Sequence, residues 1–545
     1  MTMTESPPSQ ATESITPAPE AGQGLYGWIS TSDHKTIGRI WLRVSVLLLL
    51  FVVVVGVLLS FERTDAGSVD LFGGDNSYFQ MWSMYRLGLV LLVAMPLFVG
   101  LATIVVPMQV GSTNIAFPRL ALASAWGYVI GAAITVISVL SRGGWGALDG
   151  VTSGEADAIA LTLIGTGMVL VSIVLGAICV ATTVVALRTS GMSLMRVPLF
   201  AWSMLVASAV WILTLPIALA NVAIIYVDLR GGPLLFGNPE GSTEIYAQLA
   251  WLVEQPQIYA VAIPVLGVLG SVVPVVAGVR HSSHNAMVVL ISLAGLFAIG
   301  GWSQPYFYDN TEFVVFVAFG LLATVPVIAI IGGSAATILA GKSASGLPPV
   351  HLMGALGAAV LLFFGTIGGA MRAVEPFGLA GTTVHTGVLN LVALSAVTAA
   401  IAGFWFWAPK IGGHLLPAGM GRLVMIDLIG GAFLLGMADV IAGFADAPDL
   451  MLSDSNDSLV DLMVIVSVVG AVIVALGVLG TFGSLVKAMR PGGPAPGDDP
   501  WDGHTLEWAT SSPPPAGNFV ETLAKVTSEA PLLDAASARD EGEES

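Results

Sequence analysis

Few side chains in this sequence could carry metal, redox or acid–base chemistry, and most of those are histidines. The seven are His34, His281, His284, His351, His385, His414 and His504. Imidazole is a neutral nitrogen ligand suited to iron, copper and zinc. His281 and His284 are close enough in sequence to present two rings together, but a structural metal site asks for about four ligands. With no third ligand in that run, a solvated loop is the expectation. His351 and His385 open two apolar runs that travel in opposite directions. A bilayer core is about 30 Å thick, so these two do not readily share a metal. The single cysteine, Cys179, lies inside an apolar run, which excludes an intrachain disulfide framework and a Cys-rich metal site. Ionisable residues also fall inside apolar runs: Arg86, Glu254, Asp427 and Asp439. A charge there is costly unless paired or hydrated, so each is a functional candidate. The competing reading has Arg86, Glu254 and Asp439 snorkelling to an interface and Asp427 sitting beside Arg422.

Long apolar helices must position these groups. Across 545 residues the chain is 55% hydrophobic and 10% charged, with a mean hydropathy of +0.87, values that belong to a polytopic membrane protein. Its partner is therefore a lipid bilayer, and the net charge of −17 argues against nucleic acid. Runs of about 20 apolar residues can span a membrane. About twelve such runs occur, at 39–61, 83–107, 118–140, 158–187, 199–226, 250–279, 286–303, 312–341, 350–371, 384–408, 422–445 and 459–486, the seventh being short. The predicted fold is all-α. Lys35, Arg39, Arg43, Lys410, Arg422 and Lys487 gather on one side, while Asp149, Asp228, Asp446 and Asp449 mark the other. By the positive-inside rule both termini are cytoplasmic. Residues 1–24 read as a disordered tail, 25–490 as the membrane domain and 491–545 as a solvated cytoplasmic tail without a core of its own.

Several ordered runs carry more than hydropathy. Ser32-Asp33-His34-Lys35-Thr36-Ile37-Gly38 precedes the first span. Val106-Pro107-Met108-Gln109-Val110-Gly111 and Ile115-Ala116-Phe117-Pro118-Arg119-Leu120 follow the second. Gly403-Phe404-Trp405-Phe406-Trp407-Ala408-Pro409-Lys410 closes the tenth, and Asp499-Pro500-Trp501-Asp502-Gly503 lies in the tail ahead of Thr505–Pro515. In this order and spacing, over about residues 30 to 520, the chain resembles subunit I of the haem-copper cytochrome c oxidases, and its tail resembles the bacterial form. The resemblance implies a twelve-helix bundle in a bacterial cytoplasmic membrane, holding two haems and a copper ion on histidines.

Position by position, those ligands are replaced. The family's haem histidine eleven residues before the proline of the second span corresponds to Tyr85, followed by Arg86. Gln255-Pro256-Gln257-Ile258-Tyr259 resembles the copper motif His-Pro-Glu-x-Tyr, with Gln255 for the histidine, Gln257 for the proton-gating glutamate, and Tyr259 left without its partner. Trp302-Ser303-Gln304-Pro305 matches the Trp-x-His-His run without either histidine. In the tenth span the two haem positions fall on Gly387 and Leu389. His385 stands two residues early, and only a slip of that length would make it haem-binding. Met84 or Met95 could ligate haem axially, although methionines in apolar helices are usually packing. The proton-path positions are Asn114, Ala121 and Ile330, and the arginine pair that holds haem propionates is missing near Ala447-Pro448-Asp449.

The expectation is a degenerate homologue without cofactors, acting as a membrane scaffold or accessory subunit beside other respiratory oxidase subunits. One alternative is a working cytochrome c oxidase that holds haem and copper on an atypical ligand set. Another is a transporter or channel that uses the emptied interior. An Arg86–Glu254 or Arg86–Asp439 pair filling the vacated haem space is the specific structural expectation.

Overall fold

The computed structural model describes residues 27, 29–64, 70–141, 153–231, 239–300, 318, 320–341, 346–449, 457–488 and 496–543, the side chains of 75–76, 153–155, 239–257, 299–300, 375 and 539–543 excepted. These residues are almost entirely helical and contain no strand, only an isolated bridge between Thr382 and Pro448. In chain order the helices are α1 (His34–Glu62), α2 (Ser77–Gln109), α3 (Pro118–Leu140), α4 (Ser153–Ala186), α5 (Leu199–Gly231) and α6 (Pro239–Ala277). There follow α7 (His284–Gly300), α8 (Thr324–Ala340), α9 (Val350–Arg372), α10 (Val384–Gly412), α11 (Ala418–Phe444), α12 (Ser458–Ala488) and the tail helix α13 (Pro531–Glu543). Eleven helices among the described residues are long and apolar enough to cross a membrane, and α7 is a shorter apolar helix.

Burial sorts these helices into two shells. The apolar windows of α2 and α10 are 100% buried, whereas that of α5 is only 33% buried and faces outward. Such all-round burial suits helices that are apolar on every face. The two central helices are therefore those that carry Tyr85 and Arg86 on one side and His385, Gly387, Leu389 and Asn390 on the other. Within α2 the residues Gly88–Ala94 form a π-helical segment immediately after Arg86 and Leu87. Tyr128 of α3 donates its hydroxyl to Leu92 O at 2.6 Å, gripping this wide turn from the side.

At the basic end of the bundle, the runs that carry the family resemblance lock together. Asp33 caps α1, accepting from the Lys35 and Thr36 amides. His34 lies 2.8 Å through Nδ1 from Thr103 O and 2.9 Å through Nε2 from Asn518 Oδ1. Asn518 in turn donates to Ser112 O at 2.7 Å. Gln109 donates to Glu507 at 2.9 Å, and Lys410 donates to Asp498 O at 2.9 Å. Expected to be a solvated tail, residues 496–538 instead pack onto the bundle, with Leu506, Glu507, Trp508, Asn518 and Val526 buried. Composition misled here because polar side chains such as Asn518 and Glu507 are paired to groups on distant helices.

Candidate functional site

At the opposite, acidic end, two chains of polar contacts connect α2, α10, α11 and the segment after α11. The first begins at Tyr85, whose hydroxyl donates to Asn390 Oδ1 at 2.7 Å. Asn390 donates to Asp439 Oδ2 at 3.4 Å, and Asp439 forms an ion pair of 3.0 Å with Arg63 at the end of α1. In the second, Arg86 Nη1 meets Asp449 Oδ2 at 2.9 Å, while Thr386 donates to Asp449 Oδ1 at 2.7 Å. Arg86 Nη2 lies 2.7 Å from His385 Nδ1 and 2.9 Å from its Nε2. The Trp82 ring covers the same guanidinium at 4.1 Å. Backbone contacts fix the segment that delivers Asp449: Thr383 N donates to Ala447 O and Asp449 N to Gly381 O, each at 2.9 Å.

Arg86 and Asp439 are each 1% exposed, so neither snorkels. Both are affordable because each is paired and hydrogen-bonded. The expected Arg86–Asp439 pair does not form. Asp439 turns toward Arg63, and Arg86 is neutralised by Asp449, which folds back from beyond the helix end. Burial works to raise the Asp449 carboxyl, but Arg86, His385 and Thr386 outweigh it and hold the group well below the usual carboxylate range. From the sequence Asp449 is only a charge on the acidic side, and Arg63, Asn390 and Thr386 carry no local signal that places them at this site. One signal was available: the few arginines on an otherwise acidic side needed partners once Arg86 and Asp439 were placed in the interior.

The remaining candidates are dispersed. Asp427 is half-buried at the seam of α11 and α12 beside Gly477, and makes no ion pair with Arg422. Tyr259 is buried with its hydroxyl against Gly369 of α9, where an added Cβ would lie 2.0 Å from the oxygen. The side chains of Glu254, Gln255 and Gln257, and all of Gln304 and Pro305, lie outside the described residues. His281 and His284 do not form a solvated loop. They line a small cavity of about 40 Å³ with His504 and Glu529, covered by the packed tail. Burial lowers the His281 imidazole to about 4. Among the described residues no three His, Cys, Asp or Glu side chains are grouped to hold a metal ion.

The family described as cytochrome C and quinol oxidase polypeptide I matches residues 36–473. The chain belongs to that family. A putative cytochrome c oxidase subunit 1-beta of Streptomyces avermitilis is 28% identical over 545 aligned residues, covering 96% of this chain and 95% of that protein. A protein of the same description from Streptomyces coelicolor is 29% identical, covering 94% and 91%. Cytochrome c oxidase subunit 1 of Corynebacterium glutamicum is 26% identical, covering 95% and 90%.

The residues where the resemblance expects haem ligands do not fit that group. Tyr85 gives its hydroxyl to Asn390, and Leu389 is a fully buried aliphatic side chain. At Gly387 the backbones of α10 and α11 approach so closely that a Cβ would lie 2.6 Å from Gly436 O. His385 lies with both ring nitrogens within 2.9 Å of Arg86 Nη2, so a cationic donor occupies the place beside the imidazole that a metal ion would need. Beside Tyr259 the free space is about 20 Å³, room for about one water molecule.

Proposed function

We propose that this chain is a non-redox member of the oxidase subunit I family, serving as a membrane scaffold or accessory subunit of a respiratory complex. It sits in a bacterial cytoplasmic membrane with both termini cytoplasmic, the side favoured by its lysines and arginines. One observation carries the reading: Arg86 directs its charge at His385 and Asp449 where the family resemblance calls for haem chemistry. A guanidinium is always protonated, so the ring facing it is a poor ligand for a metal cation. Meanwhile the interlocking at the basic end, through His34, Gln109, Lys410, Glu507 and Asn518, supports a rigid framework without any redox step. Oxidation of cytochrome c by an atypical ligand set is the second reading, favoured by the relatives' names and near full-length similarity.

Affinity capture of the tagged chain from mildly solubilised membranes distinguishes the two. The proposal expects co-purification with other subunits of a respiratory complex. Oxygen consumption from reduced cytochrome c by the isolated chain would overturn it.

A further inference from the structure

The largest recess among the cavities described is at the basic end and lies apart from both polar chains. It is a groove of about 560 Å³ between α1, the end of α10 and the end of α12. That volume is within the range of about 300–1,000 Å³ usual for ligand pockets. Its walls are apolar, formed by Leu42 and Val46 of α1, Phe404 and Ile411 of α10, and Phe482 and Leu485 of α12. Its polar groups are Arg39 and Arg43, one helical turn apart on the same face of α1, with His414 from the following loop. Arg39 is anchored by donating Nε to Lys35 O at 3.1 Å, and it is 3.9 Å from Asp33, too long for a tight pair. Arg43 and His414 are exposed.

We propose that this groove binds an anionic glycerophospholipid. Arg39 and Arg43 hold the phosphodiester, His414 borders the headgroup, and one acyl chain lies along Leu47, Ile411, Phe482 and Leu485, the apolar lining residues that keep accessible surface. Charge and shape together argue for this occupant. The groove places a doubly basic mouth beside an apolar trough, and a phospholipid carries both complements in one molecule. Basic pockets between transmembrane helices recognise anionic headgroups in the same way. A zwitterionic lipid would bring an ammonium group to two guanidinium groups and lose the advantage. A partner helix would fill the trough but would need acidic residues at one level to match the two guanidinium groups as a phosphodiester does. This inference does not depend on whether the protein is redox-active.

Native mass spectrometry of the full chain, released from detergent with phosphatidylglycerol and phosphatidylcholine added in equal amounts, reads the preference directly. The expected result is on the order of tenfold more phosphatidylglycerol adduct, reduced to parity in R39Q/R43Q. In R43Q alone, which changes only an exposed residue, the preference should be intermediate. A charged L47E variant, which changes an exposed lining residue, should weaken the adduct of both lipids. Equal binding of the two lipids, or a preference unmoved in R39Q/R43Q, would overturn the proposal. So would a photocrosslinker at Leu47 that captures a protein chain and no phospholipid.

Discussion

Neutralising Asp449 should expose how strongly the acidic-end network depends on charge pairing. Arg86 is 1% exposed at the side chain and Asp449 15%, and they meet at 2.9 Å. In D449N the carboxylate charge is lost while the shape and the Thr386 contact are nearly kept. The guanidinium then stays buried beside Trp82 and the His385 ring without the Asp449 charge. Removing one partner of a buried pair costs about 3–5 kcal/mol, chiefly from the charge left behind. Unfolding entropy of about 2 cal/mol/K per residue converts this, for a chain of this size, into a fall of roughly 3–4 °C in melting midpoint. R86M should also destabilise, but less, because Asp449 retains Thr386 and some solvent. The double variant R86M/D449N should recover about 1–3 kcal/mol relative to the sum of the single changes. Melting curves of the four proteins in nanodiscs complete the cycle. An unchanged midpoint in D449N, or strictly additive costs, would refute the pairing argument.

Other perturbations test the packing around the network and the docking of the tail. G387V should cost about 1–3 kcal/mol by thermal unfolding, because its side chain must enter the backbone contact between α10 and α11. N518A removes the link between His34, Lys35 and Ser112. Orphaning buried polar groups costs about 1–3 kcal/mol, so limited proteolysis should cut residues 496–538 faster in N518A than in the parent. Glu507 gives a pH test. Burial raises its carboxyl above the usual range despite help from Gln109 and Trp407. A raised folded value means that its contribution to docking is complete below the unfolded value of about 4.3 and is lost as pH rises through the folded value. Tail protection in hydrogen exchange should therefore decline across that window in the parent and stay flatter in E507Q.

Much of the fold was legible because a bilayer imposes simple rules. Apolar runs marked the helices, and several boundaries agree within a few residues, 384–408 against Val384–Gly412 and 350–371 against Val350–Arg372, whereas α6 begins at Pro239, well before the expected 250. The site was harder to read. Arg86 and Asp439 were visible as intramembrane charges, but the partner of each depended on side-chain direction. Asp439 needed Arg63 from a helix far away in sequence, and Asp449 reached Arg86 only because the Thr383–Ala447 and Gly381–Asp449 backbone contacts fold the segment after α11 inward. The packed tail escaped for a similar reason. Its composition is that of a solvated segment, and its burial comes from long-range contacts such as Gln109–Glu507 that no local pattern encodes.

The central claim concerns the positions of Tyr85, His385, Gly387 and Leu389, and cofactor stoichiometry tests it most directly. The chain should be purified from its native membrane and separated from other subunits. Haem is then read by a reduced-minus-oxidised spectrum with extracted-haem quantitation, and copper by elemental analysis, per mole of chain. The account predicts well below one equivalent of either. Two haems and one copper, with spectra that change in H385A, would contradict it.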